Sequence, residues 1–162
     1  SLPTTVEIRH SVASELGTIL ACPTQIHQVL MNLCTNAAHA MRQKGGTLTV
    51  DLTEVTLNEE LSPHLAGIVP GRYIKLAVSD TGHGMPQNVA DRIFEPYFTT
   101  KPAGEGNGLG LTVVHGIVES HDGRIEMQTR VKQGTTFHIY FPVIEEGLPA
   151  VADEGDFIPT FW

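Results

Sequence analysis

The chain has 162 residues, 41% of them apolar and 17% charged, with 18 Asp and Glu against 10 Lys and Arg for a net charge of −8. That length fits one domain, that composition builds a core, and no apolar run approaches the ~18 residues of a membrane helix. The acidic balance, with no basic run to neutralise phosphates, excludes wrapping nucleic acid, and two cysteines, Cys22 and Cys34, make neither a disulfide framework nor a cysteine zinc cluster.

Two cysteines and no leader-like segment fit a reducing, cytoplasmic setting, and a chain that starts at Ser1 is expected to be a piece of something larger. Near the N-terminus, TVEIRH reads as a strand. Residues 24–42 read as a helix, and from Gln25 to Met41 it holds no Asp, Glu, Lys or Arg. At about 100° per residue, Ile26, Val29, Leu30, Leu33, Ala37, Ala40 and Met41 share one broad face. Gln25, Gln28, Asn32, Asn36, His39 and Gln43 form a narrow polar stripe beside it. An ordinary solvent face would carry Lys and Glu, which propagate helices better than Asn. Amides spaced i, i+4 are neighbours that can ligate a hard cation or hydrogen-bond a polar ligand without adding charge. Magnesium, with phosphates as the negative ligands, suits such a site. A polar face packed against another domain is the competing account.

Residues 47–55 (TLTVDLTEV) alternate as a strand, with Leu48, Val50 and Leu52 on one face. Residues 57–71, with Pro63, Pro70 and Gly71, read as a loop. Residues 73–79 (YIKLAVS) are a strand whose parity puts Asp80 on the apolar face of Ile74, Leu76 and Val78. A carboxylate pointing into an apolar layer is costly without donors. Gly82 and Gly84 follow it in TGHGM and allow close approach of a planar ring, from whose exocyclic amine Asp80 would accept. A strand-end Asp capping a turn is the plainer alternative. Next, 93–101 (IFEPYFTTK) is apolar and aromatic and ends in Lys101. Residues 104–111 (GEGNGLGL) carry glycines at 104, 106, 108 and 110 and open a helix over 109–120. Free backbone N–H groups and the helix N-terminus favour an anion there. The spacing is that of neither a P-loop nor a dinucleotide fingerprint. Two last strands, 124–129 and 135–141, flank a turn at Gly134, and Thr135 shares parity with Phe137 and Ile139. The tail 145–162 holds five acids, no base and the single Trp162, and reads as a linker after a domain over 1–144.

The order QVLMNLCTNAAHAM, DTGHGMP, IFEPYFTTK, GNGLGL and GTTF resembles the N, G1, F, G2 and last glycine boxes of the catalytic ATP-binding domain of bacterial sensor histidine kinases. These belong to the gyrase, chaperone, kinase and MutL ATPase superfamily, and the match runs over about 20–142. The resemblance implies a Bergerat fold: an α+β two-layer sandwich with helices on one face of a mixed, mainly antiparallel sheet, holding ATP under a mobile lid. It implies that Asp80 accepts from the adenine amine, assisted by Thr135 and a water, within a site lined by Ala40, Gly82, Gly84, Met85 and Ile93. Asn36 would bind Mg²⁺, Asn32 would support it or contact phosphate, and His39 would contact phosphate. Gly106, Asn107, Gly108, Leu109, Gly110 and Leu111 would cover the phosphates. Phe94, Phe98, Thr100 and Lys101 would lie in the lid, with Asn32, Asn36 and Lys101 as the catalytic set.

Superfamily members that hydrolyse ATP resemble one another in a Glu four residues before the magnesium Asn. Here that position is Asn32, which cannot take a proton from water. The resemblance therefore implies transfer of the γ-phosphoryl to an external histidine, by positioning and charge neutralisation, in two-component signalling. A non-catalytic nucleotide module and a hydrolytic ATPase are the alternatives. None of the eight histidines has the acid and proline that follow a phosphoacceptor: His10 precedes SVAS and His27 precedes QVLM. The acceptor is expected on a dimerisation hairpin before Ser1. Expected partners are ATP and ADP, that phosphotransfer domain of the same protein and a response-regulator receiver, with the isolated chain monomeric. The location implied is cytoplasmic, in a sensor that is itself soluble or membrane-bound.

Overall fold

The computed structural model describes residues 5–60, 62–96, 98 and 110–144. Within them the elements are β1 (Val6–Val12), α1 (Pro23–Ala40), β2 (Gly46–Leu57), β3 (Gly71–Asp80), α2 (Gln87–Ala90), α3 (Gly110–Ser120), β4 (Arg124–Arg130) and β5 (Gly134–Pro142). The strands form one sheet in the order β1-β2-β3-β5-β4. β1 runs parallel to β2, and the other neighbours are antiparallel. A parallel pair needs a crossover, and α1 provides it between β1 and β2.

α1 starts where its sequence makes starting easy: Pro23 occupies the first turn, where its missing N–H would have no partner anyway. It stops at Ala40, two residues before the expected end. The N–H of Met41 still reaches the Ala37 carbonyl at 3.1 Å, and Gly45, with φ +71°, closes the turn by donating to the Met41 carbonyl at 2.7 Å. Met41 and Gln43 therefore lie past the helix, although Met41 is buried at 1% exposure.

The apolar stripe of α1 (Val29, Leu33, Ala37) and that of α3 (Val114, Ile117, Val118) bury against Leu76 and Val78 of β3 and Phe137, Ile139 and Phe141 of β5. The strand parity expected for β3 and β5 holds, so the two helices share one face of the sheet.

The opposite face carries a feature that the sequence concealed. Register pairs Val55 with Tyr73 and Lys75 with Tyr140, so the apolar side of β2 changes from Leu48, Val50 and Leu52 on the helix face to Val55 and Leu57 on the back. There the loop after β2 folds down, and Leu65 and Ile68 pack with Leu57, Tyr73 and Tyr140 as a second small core. Its rim is polar. Tyr73 donates to the Val69 carbonyl at 2.6 Å, Tyr140 donates to Glu126 at 2.7 Å, and His64 Nε2 lies 3.1 Å from the other Glu126 oxygen. Burial, then the adjoining Glu126 carboxylate, push the Tyr140 hydroxyl far above its ordinary range, so it stays a donor. Among the described residues, no helix is long and apolar enough to cross a membrane.

Candidate functional site

Asp80 is the last residue of β3, and the ladders set it between Leu48 of β2 and Thr135 of β5. Its side chain keeps 9% exposure on the helix face. The N–H of Gly82 donates to Asp80 Oδ1 at 2.8 Å, and the Thr135 backbone gives a further bond. Burial nevertheless dominates and raises the carboxyl above its ordinary range, while the two backbone donors and nearby His83 pull it back. An ionised carboxylate on this face can accept further hydrogen bonds, since its two oxygens offer more lone pairs than the two backbone donors use.

The loop after Asp80 leans on the end of α1. A Cβ on Gly82 would stand 2.6 Å from the Ala40 carbonyl oxygen and 2.7 Å from its methyl, so close approach requires glycine there. The N–H of His83 bonds the same Ala40 carbonyl at 3.2 Å. On the loop's other side, Gly84 has φ +67°, and a Cβ would fall 2.0 Å from the Arg130 carbonyl oxygen of β4. The N–H of Met85 bonds Thr129 Oγ1 at 3.0 Å, and that hydroxyl lies 2.9 Å from Thr135 Oγ1. Thr129 thus ties the loop to the strand pair beneath Asp80. The sequence reading missed it, although its alternation with Ile125 and Met127 puts it on the same face. Thr81 was missed too: its hydroxyl accepts from the N–H of Thr47 at 3.0 Å and anchors the start of the loop to β2.

The other end of the site is built from α1 and α3. Asn32 Nδ2 donates to the carbonyl oxygen of Gly110, the first residue of α3, at 3.1 Å. A carbonyl only accepts, so the nitrogen of this amide faces α3, and its oxygen is of the kind that accepts from a donor or ligates a hard cation. Asn32, Asn36 and Ala40 are spaced i, i+4, i+8, which at 1.5 Å per residue is a span of about 12 Å along the helix. One wall, α1, therefore touches the start of α3 through Asn32 and the Asp80 loop through Ala40. Asn36 and His39 are half-buried on this wall.

Of the remaining expected site residues, Ile93 is buried at 6% and Met85 and Leu111 pack against the same core. Phe94 packs there as well, its ring 5.2 Å from that of His115. Phe98 lies under the Arg92 guanidinium at 4.3 Å. Thr100, Lys101, Gly106, Asn107, Gly108 and Leu109 fall outside the described residues. Of the histidines outside the site, His121 accepts from the Cys22 N–H at 3.1 Å and His115 is paired with Glu119 at 2.9 Å. Among the described residues no three His, Cys, Asp or Glu side chains converge on a metal position. A cation at the asparagines would need a ligand to bring most of its negative oxygens.

A family model, histidine kinase-, DNA gyrase B- and HSP90-like ATPase, matches residues 21–145. Two curated relatives are the sensor kinase CckA of Brucella abortus, 37% identical over 142 residues, and the sensor histidine kinase ZraS of Escherichia coli K12, 38% identical over 138 residues. These matches cover 87% and 85% of the chain but only 15% and 26% of the relatives' own length. Among solved structures, the nucleotide-free catalytic domain of histidine kinase ThkA superposes with a TM-score of 0.61 at 26% identity, covering 85% of this chain and 79% of that one. Full-length ShkA in complex with AMPPNP gives 0.62 at 28% identity, covering 85% and 26%. The mixed five-stranded sheet with helices on one face is accordingly the Bergerat fold of histidine-kinase catalytic domains. By motif order, by fold and by the model match over 21–145, the chain belongs to the histidine kinase-, DNA gyrase B- and HSP90-like ATPase family.

Proposed function

We propose that this chain is the ATP-binding catalytic domain of a sensor protein-histidine kinase, that it binds ATP with Mg²⁺, and that it transfers the γ-phosphoryl group to a histidine on a dimerisation domain lying outside it. The observation that carries this reading is the single α1 wall, joined through Ala40 to the loop of buried Asp80 and through Asn32 to the start of α3. In this reading the Asp80 carboxylate accepts from the exocyclic amine of adenine, with the Thr135 hydroxyl beside it, and Gly82 leaves the ring room. The amide oxygens of Asn36 and Asn32 suit Mg²⁺, a hard cation held mainly by phosphates and waters. Bound ATP supplies the phosphoryl group. The chain's own residues orient it, and the N-terminus of α3 favours its negative charge. Asn32 has no basic lone pair with which to activate water, so an incoming imidazole is the nucleophile this site serves.

Residues 1–144 form the domain and 145–162 the acidic linker, the isolated chain is monomeric, and the phosphoryl group passes on to a receiver domain. The test is to mix the chain with a purified hairpin domain and radiolabelled ATP. Acid-labile, base-stable label on the hairpin, abolished by Asp80→Asn, is expected. Steady phosphate release from the chain alone, with no transfer, would make it a hydrolase instead.

A further inference from the structure

The first turn of α3 is held from two sides, by Asn32 and by a threonine, Thr112, that lies outside all five boxes. Asn32 of α1 donates to the Gly110 carbonyl at 3.1 Å. Two residues on, Thr112 Oγ1 donates to the carbonyl oxygen of Phe94 at 2.9 Å. Phe94 itself is fixed by packing on the core and by the His115 ring one turn further along α3, 5.2 Å away at 39°. A threonine near a helix start usually spends its hydroxyl on its own helix. Here it reaches out of the helix, across to a carbonyl 18 residues earlier in the chain. The turn is thus pinned at Gly110 to α1 and at Thr112 to the connection that carries Phe94.

We propose that Thr112 is a positioning residue for triphosphate binding: by tying the first turn of α3 to Phe94, it aims that helix end at the phosphate side of the site. The inference rests on the nucleotide reading above and adds to it a residue that touches no ligand. Adenine is held at the far end of the α1 wall, at Asp80, whereas the Thr112 hydroxyl makes its bond at the α3 end. The consequence is selective. Loss of the Thr112 hydroxyl weakens binding of ATP and leaves binding of adenosine unchanged.

The 162-residue chain, with Thr112→Val and Thr112→Ser variants, tests this by competition of ATP and of adenosine against a fluorescent ATP analogue in the presence of Mg²⁺. Valine keeps the shape and removes the donor, and serine keeps the donor. The net worth of one neutral hydrogen bond corresponds to about a two- to tenfold loss of ATP affinity in Thr112→Val, with adenosine affinity unchanged and the melting temperature lowered by only a few degrees. Thr112→Ser is expected within about twofold of wild type on the same scale. An unchanged ATP affinity in Thr112→Val, an equal loss for adenosine, or a serine variant as weak as valine would overturn the positioning role alone. A wild-type chain that binds neither ATP nor adenosine would overturn the nucleotide reading and this inference with it.

Discussion

Asp80 is a carboxylate that the fold keeps at a cost. Burial raises its proton affinity, the Gly82 and Thr135 amides compensate in part, and the side chain stays on the apolar face of the sheet. Asp80→Asn removes the buried charge while keeping the shape, so the fold should lose little. Nucleotide affinity should fall by about 1.5–3 kcal/mol, the worth of a hydrogen bond to a charged acceptor. Titration of an ATP analogue alongside thermal melting measures both. The raised folded value also fixes a pH signature. A carboxyl with a higher pKa in the folded state binds more protons there, so its contribution favours the fold below the unfolded value of 3.8 and is lost as pH rises through the folded value. Nucleotide binding needs the ionised form and runs the other way. Acidification through the window just above 3.8 should therefore weaken ATP binding while Asp80 itself favours folding, and Asp80→Asn should flatten both slopes. Gly84 is fixed by geometry rather than charge: a methyl group there combines φ +67° with a carbonyl oxygen 2.0 Å away. Gly84→Ala is expected to cost about 2–4 kcal/mol in a denaturant melt. Asp80 was legible in the sequence because strand parity is rigid. Thr112, Thr129 and Thr81 were not, because each bonds an element remote in the chain and a lone threonine carries no periodic signal.

At the level of elements, α1 was readable almost residue by residue. A helix without charges, apolar on one face and amide-bearing on the next, has few ways to sit on a sheet, and Val29, Leu33 and Ala37 went inside as their 3.6-residue period requires. β2 was readable only in its first half. Alternation is local, and a strand that serves two cores changes its buried side where the second core begins, between Leu52 and Val55. The loop after it looked like a connection because its Pro and Gly residues dominate a local reading. Tertiary packing makes it the lid of a second core. Leu65, at 5% exposure, is its test: Leu65→Ala should cost about 2–3 kcal/mol, more than a loop substitution normally does. Because that core lies on the back of the sheet, the ATP affinity of the folded Leu65→Ala variant should match wild type in the same titration.

For the whole molecule, the two helices and the central strands make the main core, while 145–162 lies outside the described residues and reads from its composition as an acidic linker. Removal of 145–162, with its five acids and Trp162, should shift the melting temperature by no more than about 2 °C and should leave nucleotide titrations superimposable. By itself the sequence determined the chemistry. Which residues carry charge, which carry amides, where glycine permits close approach and in what order the boxes occur are all covalent facts, and they suffice for the family. The tertiary structure decided the distances. It laid Ala40 against Gly82 and Asn32 against Gly110, so that one helix joins both ends of the site. It also drew the loop after β2 over the back of the sheet. Those contacts depend on how a chain closes on itself, and period, parity and composition describe only its neighbours along the sequence.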